Sequence, residues 1–357
     1  MMATRARAGR STPRPLRPKL AAMDQYHSAS IGVIGAGAWG TALAMTAVRN
    51  GRATTLWGRN HQDLMDIAAR GENSRYLPGV RLHPMPHVTG DLSAALRADI
   101  ILLVIPTQEL RAMAPLLALG TRPGQAVVLC AKGIERGTGK TVTEVVQEFM
   151  PQVQLAVLSG PTFADEVARG LPTAVTLAAA DAAVASRLAA ALSGRTFRCY
   201  PSADLLGVEL CGAVKNVLAI ACGIAMGRAL GENARAALIT RGLAELGRLN
   251  AALGGQPDTL LSLAGIGDIT LSCSSVQSRN YTFGLKLGRG TALAEMEAHP
   301  GKLAEGRFTA SAVLQRAQSV GVELPICAAV DAILNQGADI DSTIAALLSR
   351  PVKREGV

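Results

Sequence analysis

Aromatic side chains are scarce in this chain of 357 residues. Phe, Trp and Tyr together make up 3% of the sequence, whereas hydrophobic residues make up 49%. The core must therefore be built mainly from Ala, Leu, Val and Ile. Proteins that bind single-stranded nucleic acid stack bases on aromatic platforms, so this scarcity argues against a nucleic-acid partner. The length allows two domains.

Signals for disulfides, metal sites and membrane spans are also missing. The cysteines form no C-x-x-C pair and most lie in apolar runs, which predicts buried free thiols in a reducing cytosol. None of the five histidines has a Cys or carboxylate partner at metal-ligand spacing, so we predict no metal. No run of about 18 uncharged apolar residues is present, so we expect no membrane span.

Acidic residues are missing from the first 22 residues, which hold six arginines and lysines. These charges account for most of the net charge of +9, so the basic composition does not indicate a polyanion partner. We expect residues 1–29 to form a disordered extension. It is interpreted either as an organelle transit peptide or as an extension without a function, and the lack of an apolar signal core disfavours export.

Residues 30–200 alternate short β-rich runs with helical patterns. The strand candidates are SIGVIG, ATTLWG, ADIILLVIP, QAVVLCAKG, QLAVLSG, TAVTLAA and TFRCY. Several are continuously apolar, as in a parallel sheet with helices on both faces. We predict a Rossmann-like, doubly wound α/β dinucleotide-binding domain here. Long Ala-, Leu- and Gly-rich helical patterns predict an all-α substrate domain over 201–350, followed by a tail at 351–357.

The stretch GAGAWG matches the dinucleotide-binding pattern G-x-G-x-x-G and lies between an apolar run and a helical pattern. Gly35 would permit the tight turn, Gly37 would let the backbone approach a pyrophosphate, and Gly40 would let helix and strand pack closely. The helix N-terminus would supply free N–H groups for the phosphates. A purely structural glycine corner is the alternative, and the β-α-β context favours dinucleotide binding.

The residues after the second predicted strand bear on which dinucleotide is bound. NAD enzymes usually carry Asp or Glu there, but this chain has Arg59 and no carboxylate before Asp63. A guanidinium can pair with the 2′-phosphate of NADP. We therefore predict that NADP is at least accepted, with an ordinary surface arginine as the alternative.

Two polar residues interrupt the apolar helical pattern GVELCGAVKNVLAIACGIAMG, namely Lys215 and Asn216. A lysine in such a helix either extends its ammonium to solvent or is desolvated. Desolvation lowers the pKa of a lysine, which suits proton transfer near neutral pH. Lys132 follows another predicted strand, and Gly160 and Thr162 lie in a turn after a third, at the sheet edge where such folds bind ligands.

The segment LAGIGDITLSCSSVQSRNYTFG is rich in glycine and serine. It carries Asp268 and Ser272, and its Arg279–Asn280 pair offers a guanidinium and an amide that suit a phosphate monoester. A solvated polar loop is the alternative. Further along, Glu305 precedes a helical pattern, where it would contact the nicotinamide amide or solvate the loop.

These motifs, in this order, resemble the bacterial type of the NAD(P)-dependent glycerol-3-phosphate dehydrogenase family. The stretches GAGAWGTALA, LWGR, AKGIE, LSGPTFADEVARG, the lysine-bearing helix and the serine-rich segment span about residues 31–310. The resemblance implies a dinucleotide domain followed by a helical substrate domain, with NADP and NAD as cofactors. It implies the reversible reduction of dihydroxyacetone phosphate to sn-glycerol 3-phosphate for phospholipid synthesis.

The resemblance also implies roles for single residues. As catalytic residues, Lys215 would donate and accept the proton, Lys132 would hold substrate near the nicotinamide, and Asp268 would orient Lys215 or the substrate. The substrate would be bound by Lys132, Gly160, Thr162, Lys215, Asn216, Asp268, Ser278, Arg279 and Asn280. The cofactor would be bound by Gly35, Gly37, Ala38, Trp39, Gly40, Arg59, Lys132, Ala164, Arg279, Leu303 and Glu305. Ala38 replaces a serine common in the family, so we expect backbone N–H groups to hold the pyrophosphate.

Two alternatives stay open at this point. A β-hydroxyacid or ketopantoate reductase pairs a similar domain with a lysine–asparagine element but acts on carboxylates, and the segment 278–280 discriminates against it. A non-enzymatic NADP sensor would bind cofactor without turnover, and it gives no reason for the clustered lysines. We expect a cytoplasmic homodimer that acts on a small phosphorylated substrate, without stable insertion in a membrane.

Overall fold

A computed structural model describes residues 28–297 and 304–351 of the chain. Each of the seven predicted strand stretches forms a strand, and one further strand, β3, was not predicted because it is three residues long and has no apolar run. The strands are β1 (Ile31–Ile34), β2 (Thr54–Trp57), β3 (His87–Thr89), β4 (Ile100–Leu103), β5 (Ala126–Leu129), β6 (Gln154–Ser159), β7 (Thr173–Ala178) and β8 (Phe197–Ser202).

The described strands form a single sheet in the order β3-β2-β1-β4-β5-β6-β7-β8. β1 to β6 are all parallel, as the apolar pattern predicts. β7 runs antiparallel to β6, and β8 is parallel to β7, so the last two strands reverse direction. The expectation of a parallel sheet is therefore wrong for this edge, because a run buried on both faces looks the same in sequence whichever way the strand points.

Helices cover both faces of the sheet, which explains its continuously apolar strands. In β4, Ile100 and Leu102 pack into one hydrophobic cluster. Their neighbours Ile101 and Leu103 point to the opposite face and pack into another, since side chains alternate along a strand. The helices between the strands are α1 (Ala38–Arg49), α2 (His61–Arg70), α3 (Leu92–Leu96), α4 (Thr107–Gly120), α5 (Val142–Phe149), α6 (Ala164–Ala168) and α7 (Ala182–Leu192).

The chain beyond β8 is helical among its described residues. A 3-10 turn (Pro257–Leu261) and a π-helical turn (Leu263–Gly267) precede the tenth helix. The helices are α8 (Leu205–Gly227), α9 (Glu232–Ala252), α10 (Asp268–Ser274), α11 (Arg279–Gly288), α12 (Leu293–Glu297), α13 (Glu305–Ser319), α14 (Pro325–Asn335) and α15 (Ile340–Leu348). The change from sheet to helices falls near residue 203, and the division into domains at 200 stays a prediction.

Helix α8 is the centre of the helical part. It packs against α11 so closely that a Cβ on Gly223 would lie 2.7 Å from the backbone nitrogen of Leu285. By length and composition α8 could cross a membrane, but 83% of its apolar window is buried inside the protein. Its apolar character therefore comes from packing against both the sheet and the neighbouring helices. The basic extension before Ser28 lies outside the described residues.

Candidate active site

Three charged side chains meet in the interior between the sheet and the helices. Both oxygens of Asp268 are used: Oδ1 lies 2.6 Å from Nζ of Lys215, and Oδ2 lies 2.6 Å from Nζ of Lys132. Asp268 is fully buried and Lys215 is 7% exposed. One carboxylate thus bridges two ammonium groups that come from distant parts of the chain.

Each member of this cluster is positioned by a different element. Lys215 lies in the middle of α8, and Asp268 is the first residue of α10, directly after the π-helical turn. Lys132 follows β5, and its ammonium also donates to the carbonyl oxygen of Gly160 at 3.0 Å. The cluster therefore lies at the carboxyl ends of the parallel strands, where the sequence predicted a ligand site.

Burial and charge act against each other in this cluster. Burial lowers the pKa of Lys215 to about 8, although the nearby Asp268 carboxylate favours the ammonium. Burial alone would raise the pKa of Asp268, but Lys132 and Lys215 together hold it below its ordinary value. Lys215 does not extend to solvent, and its depressed pKa suits proton exchange near neutral pH.

Ser272 completes the surroundings of Lys215, and sequence reasoning gave it no role. Lys215 Nζ donates to Ser272 Oγ at 3.0 Å, and the Ser272 hydroxyl lies 3.2 Å from Asp268 Oδ1. Ser272 is one helical turn after Asp268 on α10, so both side chains face α8. That four-residue spacing was the signal available in the sequence.

A chain of amide hydrogen bonds connects Lys132 to the start of α13. Asn216 Nδ2 donates to the Lys132 carbonyl oxygen at 3.1 Å, and Asn280 Nδ2 donates to Asn216 Oδ1 at 2.8 Å. Asn280 Oδ1 in turn accepts from the backbone N–H of Gly306 at 3.0 Å. One amide hydrogen of Asn280 thus has no partner among the described residues, and the other hydrogen and the amide oxygen tie α8, α11 and α13 together.

Ser278 and Arg279 lie at the start of α11, and Gly160 and Thr162 lie in the turn after β6. Ser278 is the N-cap of this helix, where its hydroxyl accepts from the backbone N–H of Tyr281 at 3.3 Å. Arg279 is the first helical residue and is exposed to solvent. Thr162 donates to the Gly160 carbonyl oxygen at 3.2 Å. The same carbonyl oxygen accepts from Lys132, so the turn at 160–162 contacts the cluster.

Glu305 lies close enough to Arg279 for the positive charge of the guanidinium to act on its pKa. Burial raises the pKa of Glu305, and the positive charge of Arg279 opposes that rise. Glu305 is the first residue of α13 and is half-buried. Leu303, predicted beside it in the cofactor site, lies outside the described residues.

The glycine turn has the form that a bound dinucleotide requires. Gly35 has a φ of 122°, a value that side-chain-bearing residues rarely adopt, and a Cβ on Gly40 would overlap the Gly35 carbonyl oxygen. A Cβ on Gly37 would meet nothing within 4 Å, so the space in front of this residue is open. Gly35 and Gly40 are thus positions where a side chain would strain or overlap the backbone, and the approach of a pyrophosphate to Gly37 stays a prediction.

Two kinds of donor next to this turn along the chain have no side-chain acceptor among the described residues. Gly37 caps α1 without any side-chain hydrogen bond, so backbone N–H groups at the helix start are free of a side-chain acceptor. Trp39 Nε1 is buried and has no hydrogen-bond partner among the described residues. A pyrophosphate fits this donor set, because helix N-termini bind anions. Ala38 and Ala164 begin the helices α1 and α6 and contribute no side-chain donor.

Arg59 lies just after β2, as predicted, and is 76% exposed. Its Nη1 lies 3.0 Å from Oε2 of Glu109, a partner that the sequence did not indicate. An exposed guanidinium at the end of β2 fits the 2′-phosphate of an NADP molecule bound across the glycine turn.

The chain is similar to known proteins over most of its length. Two family models match, described as the N-terminus of NAD-dependent glycerol-3-phosphate dehydrogenase over residues 30–185 and its C-terminus over 204–345. A relative from Azorhizobium caulinodans, named as an NAD(P)+ glycerol-3-phosphate dehydrogenase, is 54% identical over 91% of this chain and 98% of its own. A relative of the same name from Bradyrhizobium diazoefficiens is 53% identical over 93% of this chain and 100% of its own.

Solved structures agree as well. A glycerol-3-phosphate dehydrogenase from Coxiella burnetii is 40% identical, with a TM-score of 0.85 over 90% of this chain and 99% of its own. A ketopantoate reductase from Ralstonia eutropha is 18% identical with a TM-score of 0.54 over 88% of this chain and 99% of its own, a likeness in fold alone. The chain therefore belongs to the NAD-dependent glycerol-3-phosphate dehydrogenase family.

Proposed function

We propose that this protein is an NAD(P)-dependent glycerol-3-phosphate dehydrogenase in which Lys215 moves the proton. The reaction is the reversible reduction of dihydroxyacetone phosphate at C2 to sn-glycerol 3-phosphate. The observation that carries the proposal is the buried Lys215–Asp268–Lys132 cluster at the carboxyl edge of a dinucleotide-binding sheet. A protein that only senses NADP has no use for two desolvated lysines on one carboxylate.

The cofactor would be held by the glycine turn and by Arg59, with Glu305 and Arg279 at the other end of the site. When bound, the reduced nicotinamide supplies the hydride. This chain contributes the open space in front of Gly37 and the free N–H groups of α1. The absence of a carboxylate at the end of β2 leaves room for NADP as well as NAD.

Lys215 would act as the general acid in the reduction. As an ammonium group it donates a proton to the oxygen that forms at C2, and as an amine it takes the proton back in the oxidation. A pKa of about 8 keeps both forms accessible near neutral pH. Asp268 holds the Nζ in place, and Lys132 supplies a second positive charge for the developing oxyanion.

The substrate phosphate would bind at the start of α11. Arg279 offers a guanidinium that matches a phosphate, Ser278 offers its hydroxyl hydrogen, and Asn280 keeps one amide hydrogen. The N-terminal end of the helix adds a favourable field for an anion. This arrangement favours a phosphate over the carboxylate of a ketopantoate-type substrate.

A substrate panel tests this function. The purified protein should oxidise NADPH with dihydroxyacetone phosphate and leave ketopantoate untouched. In Arg279→Ala the KM for dihydroxyacetone phosphate should rise, and its advantage over unphosphorylated dihydroxyacetone should shrink. If the variant keeps the full advantage of the phosphorylated substrate, the phosphate role of Arg279 is wrong.

We further propose that the protein works as a cytoplasmic homodimer and supplies sn-glycerol 3-phosphate for phospholipid synthesis. The chemistry of the product supports the role, because glycerophosphate is the backbone of glycerophospholipids. Light scattering of the purified protein tests the oligomeric state, and a monomer at micromolar concentration would contradict the dimer.

A further inference from the structure

The ion pair between Arg59 and Glu109 spans the glycine turn. Arg59 follows β2, and Glu109 lies in the first turn of α4, which follows β4. β1, which leads into the glycine turn, lies between these two strands in the sheet. The 3.0 Å contact therefore joins the segment after β2 to the start of α4, on the two sides of the proposed dinucleotide crevice.

Glu109 is the described carboxylate that faces Arg59 directly. The nearby Asp63 is paired with Arg75 at 2.9 Å. On α4 the other charged residue, Arg111, points away and binds Glu135. The position of Glu109 is favourable in itself, because acidic residues are stabilised in the first turn of a helix.

We propose that Glu109 sets the choice between NADP and NAD by competing with the 2′-phosphate for Arg59. This inference rests on the proposed role of Arg59 in binding NADP. A bound 2′-phosphate must replace the carboxylate on the guanidinium and then lies close to a like charge. NAD carries no such phosphate, so Arg59 stays paired with Glu109 when NAD binds. Glu109 thus weakens the binding of NADP and leaves that of NAD unchanged.

Two small probes isolate this effect from catalysis. Adenosine 2′,5′-bisphosphate carries the 2′-phosphate, whereas adenosine 5′-monophosphate lacks it, and calorimetry gives the Kd of each for the full chain. In Glu109→Gln the affinity for the bisphosphate should rise about five-fold, since an exposed pair has a modest energy, while the affinity for the monophosphate should stay within about two-fold.

The matched control is Glu323→Gln, which removes the carboxylate of another exposed pair, with Arg350 at 3.1 Å, in the helical part of the chain. It should change neither affinity. Equal gains for both probes in Glu109→Gln, no gain, or a loss for the bisphosphate would overturn the proposal.

Arg59→Gln separates this inference from the proposed function. It should abolish the advantage of the bisphosphate over the monophosphate, and adding Glu109→Gln to it should bring a smaller gain for the bisphosphate than in the wild type, because only the like-charge repulsion is left to remove. If Arg59→Gln abolishes the difference but Glu109→Gln alone has no effect, only the role of Glu109 is wrong. If Arg59→Gln leaves the difference intact, the NADP role of Arg59 is wrong as well.

Discussion

The cofactor end and the reacting end of this site lie at the same edge of the sheet and handle charge in opposite ways. At the cofactor end, the Arg59–Glu109 pair is open to solvent, with 76% and 49% of the two side chains exposed. At the reacting end, Asp268 is fully buried between Lys132 and Lys215. An exposed pair contributes up to about 1 kcal/mol, whereas breaking a buried pair costs about 3–5 kcal/mol.

In the buried cluster the charges are fixed in place, whereas at the exposed pair the anion bound to Arg59 can be exchanged. A buried carboxylate between two lysines keeps Lys215 in place and its pKa near the working pH. An exposed arginine can exchange the carboxylate of its ion-pair partner for a ligand anion, and the ion pair forms again when the ligand leaves.

Asp268→Asn should have the largest effect. It leaves two ammonium groups buried together without a counter-charge, so we expect a loss of about 3–5 kcal/mol in the free energy of unfolding and turnover reduced by at least about 10³-fold. Urea unfolding measures the free energy of unfolding, and steady-state kinetics measures turnover. The matched control is Asp341→Asn, which removes an exposed partner of Arg228 and should cost less than about 0.5 kcal/mol. A similar small loss in both variants would contradict the buried-cluster account.

Lys215→Ala should lower kcat by about 10²- to 10⁴-fold while NADPH affinity barely changes, because the proton donor is lost and the cofactor site is untouched. The surface variant Lys286→Ala should leave both quantities unchanged. Fluorescence titration with NADPH and single-turnover kinetics measure the effects. Near-normal turnover in Lys215→Ala would remove its catalytic role.

Buried carboxylates without a lysine partner should behave unlike Asp268. Glu209 accepts from the backbone and hydroxyl of Thr143, and Glu245 accepts from the backbone N–H of Ile326. Burial raises the pKa of each to about 7, from 4.5. Between these values the folded state holds protons that the unfolded state has released, so stability falls as the pH rises from about 4.5 to about 7.

For each glutamate the fall should be up to about 3 kcal/mol, and Glu209→Gln and Glu245→Gln should each flatten the profile. The measurement is the urea unfolding free energy at a series of pH values. Glu323→Gln, at an exposed site, should leave the slope unchanged. If the stability difference between the wild type and a glutamine variant does not change over this window, the hydrogen bonds outweigh burial at that glutamate.

Ser272→Ala should reduce kcat about ten-fold, because Lys215 loses one hydrogen-bond acceptor and can rotate away from the substrate. Ser272→Thr keeps the hydroxyl and should recover most of the rate. A merely structural role would lower stability without changing the pH profile of kcat. The pH profiles of kcat of the wild type and of Ser272→Ala are therefore compared. Equal rates in the alanine and threonine variants would contradict the positioning role.

Arg59→Ala should have the smallest effect on turnover. The KM for NADPH should rise about ten-fold and that for NADH should change little, because the 2′-phosphate is the group that contacts the guanidinium. Arg75→Ala, which removes a nearby exposed arginine paired with Asp63, is the matched control. An equal rise in KM for NADPH and NADH in Arg59→Ala would show that Arg59 binds an anionic group that both cofactors carry.

The sequence was sufficient for most of the fold, because long apolar runs and helical periods are local signals. Seven of the eight described strands were predicted from short β-rich runs, several of which are continuously apolar. β3 (His87–Thr89) was missed because its residues are partly exposed and too few to show a period. The reversal of β7 was missed because pairing direction depends on contacts with β6, which no local pattern records.

Candidate site residues could be found in the sequence where a reactive or charged residue interrupts or ends a clear local pattern. A lysine inside an apolar helix and an arginine after a strand are visible in the sequence. The contact of Ser272 with Lys215, the bridge from Asn280 to Gly306 and the pairing of Arg59 with Glu109 were not. Each joins segments that are far apart along the chain, so each required the folded arrangement.

The pH dependence of kcat shows whether Lys215 moves the proton. The reduction of dihydroxyacetone phosphate needs Lys215 as an ammonium, so its rate should fall as the pH rises through about 8, and the oxidation of sn-glycerol 3-phosphate should accelerate over the same range. In Lys215→Ala this transition in kcat should be lost. A transition near pH 8 that persists in the variant would contradict Lys215 as the group that moves the proton.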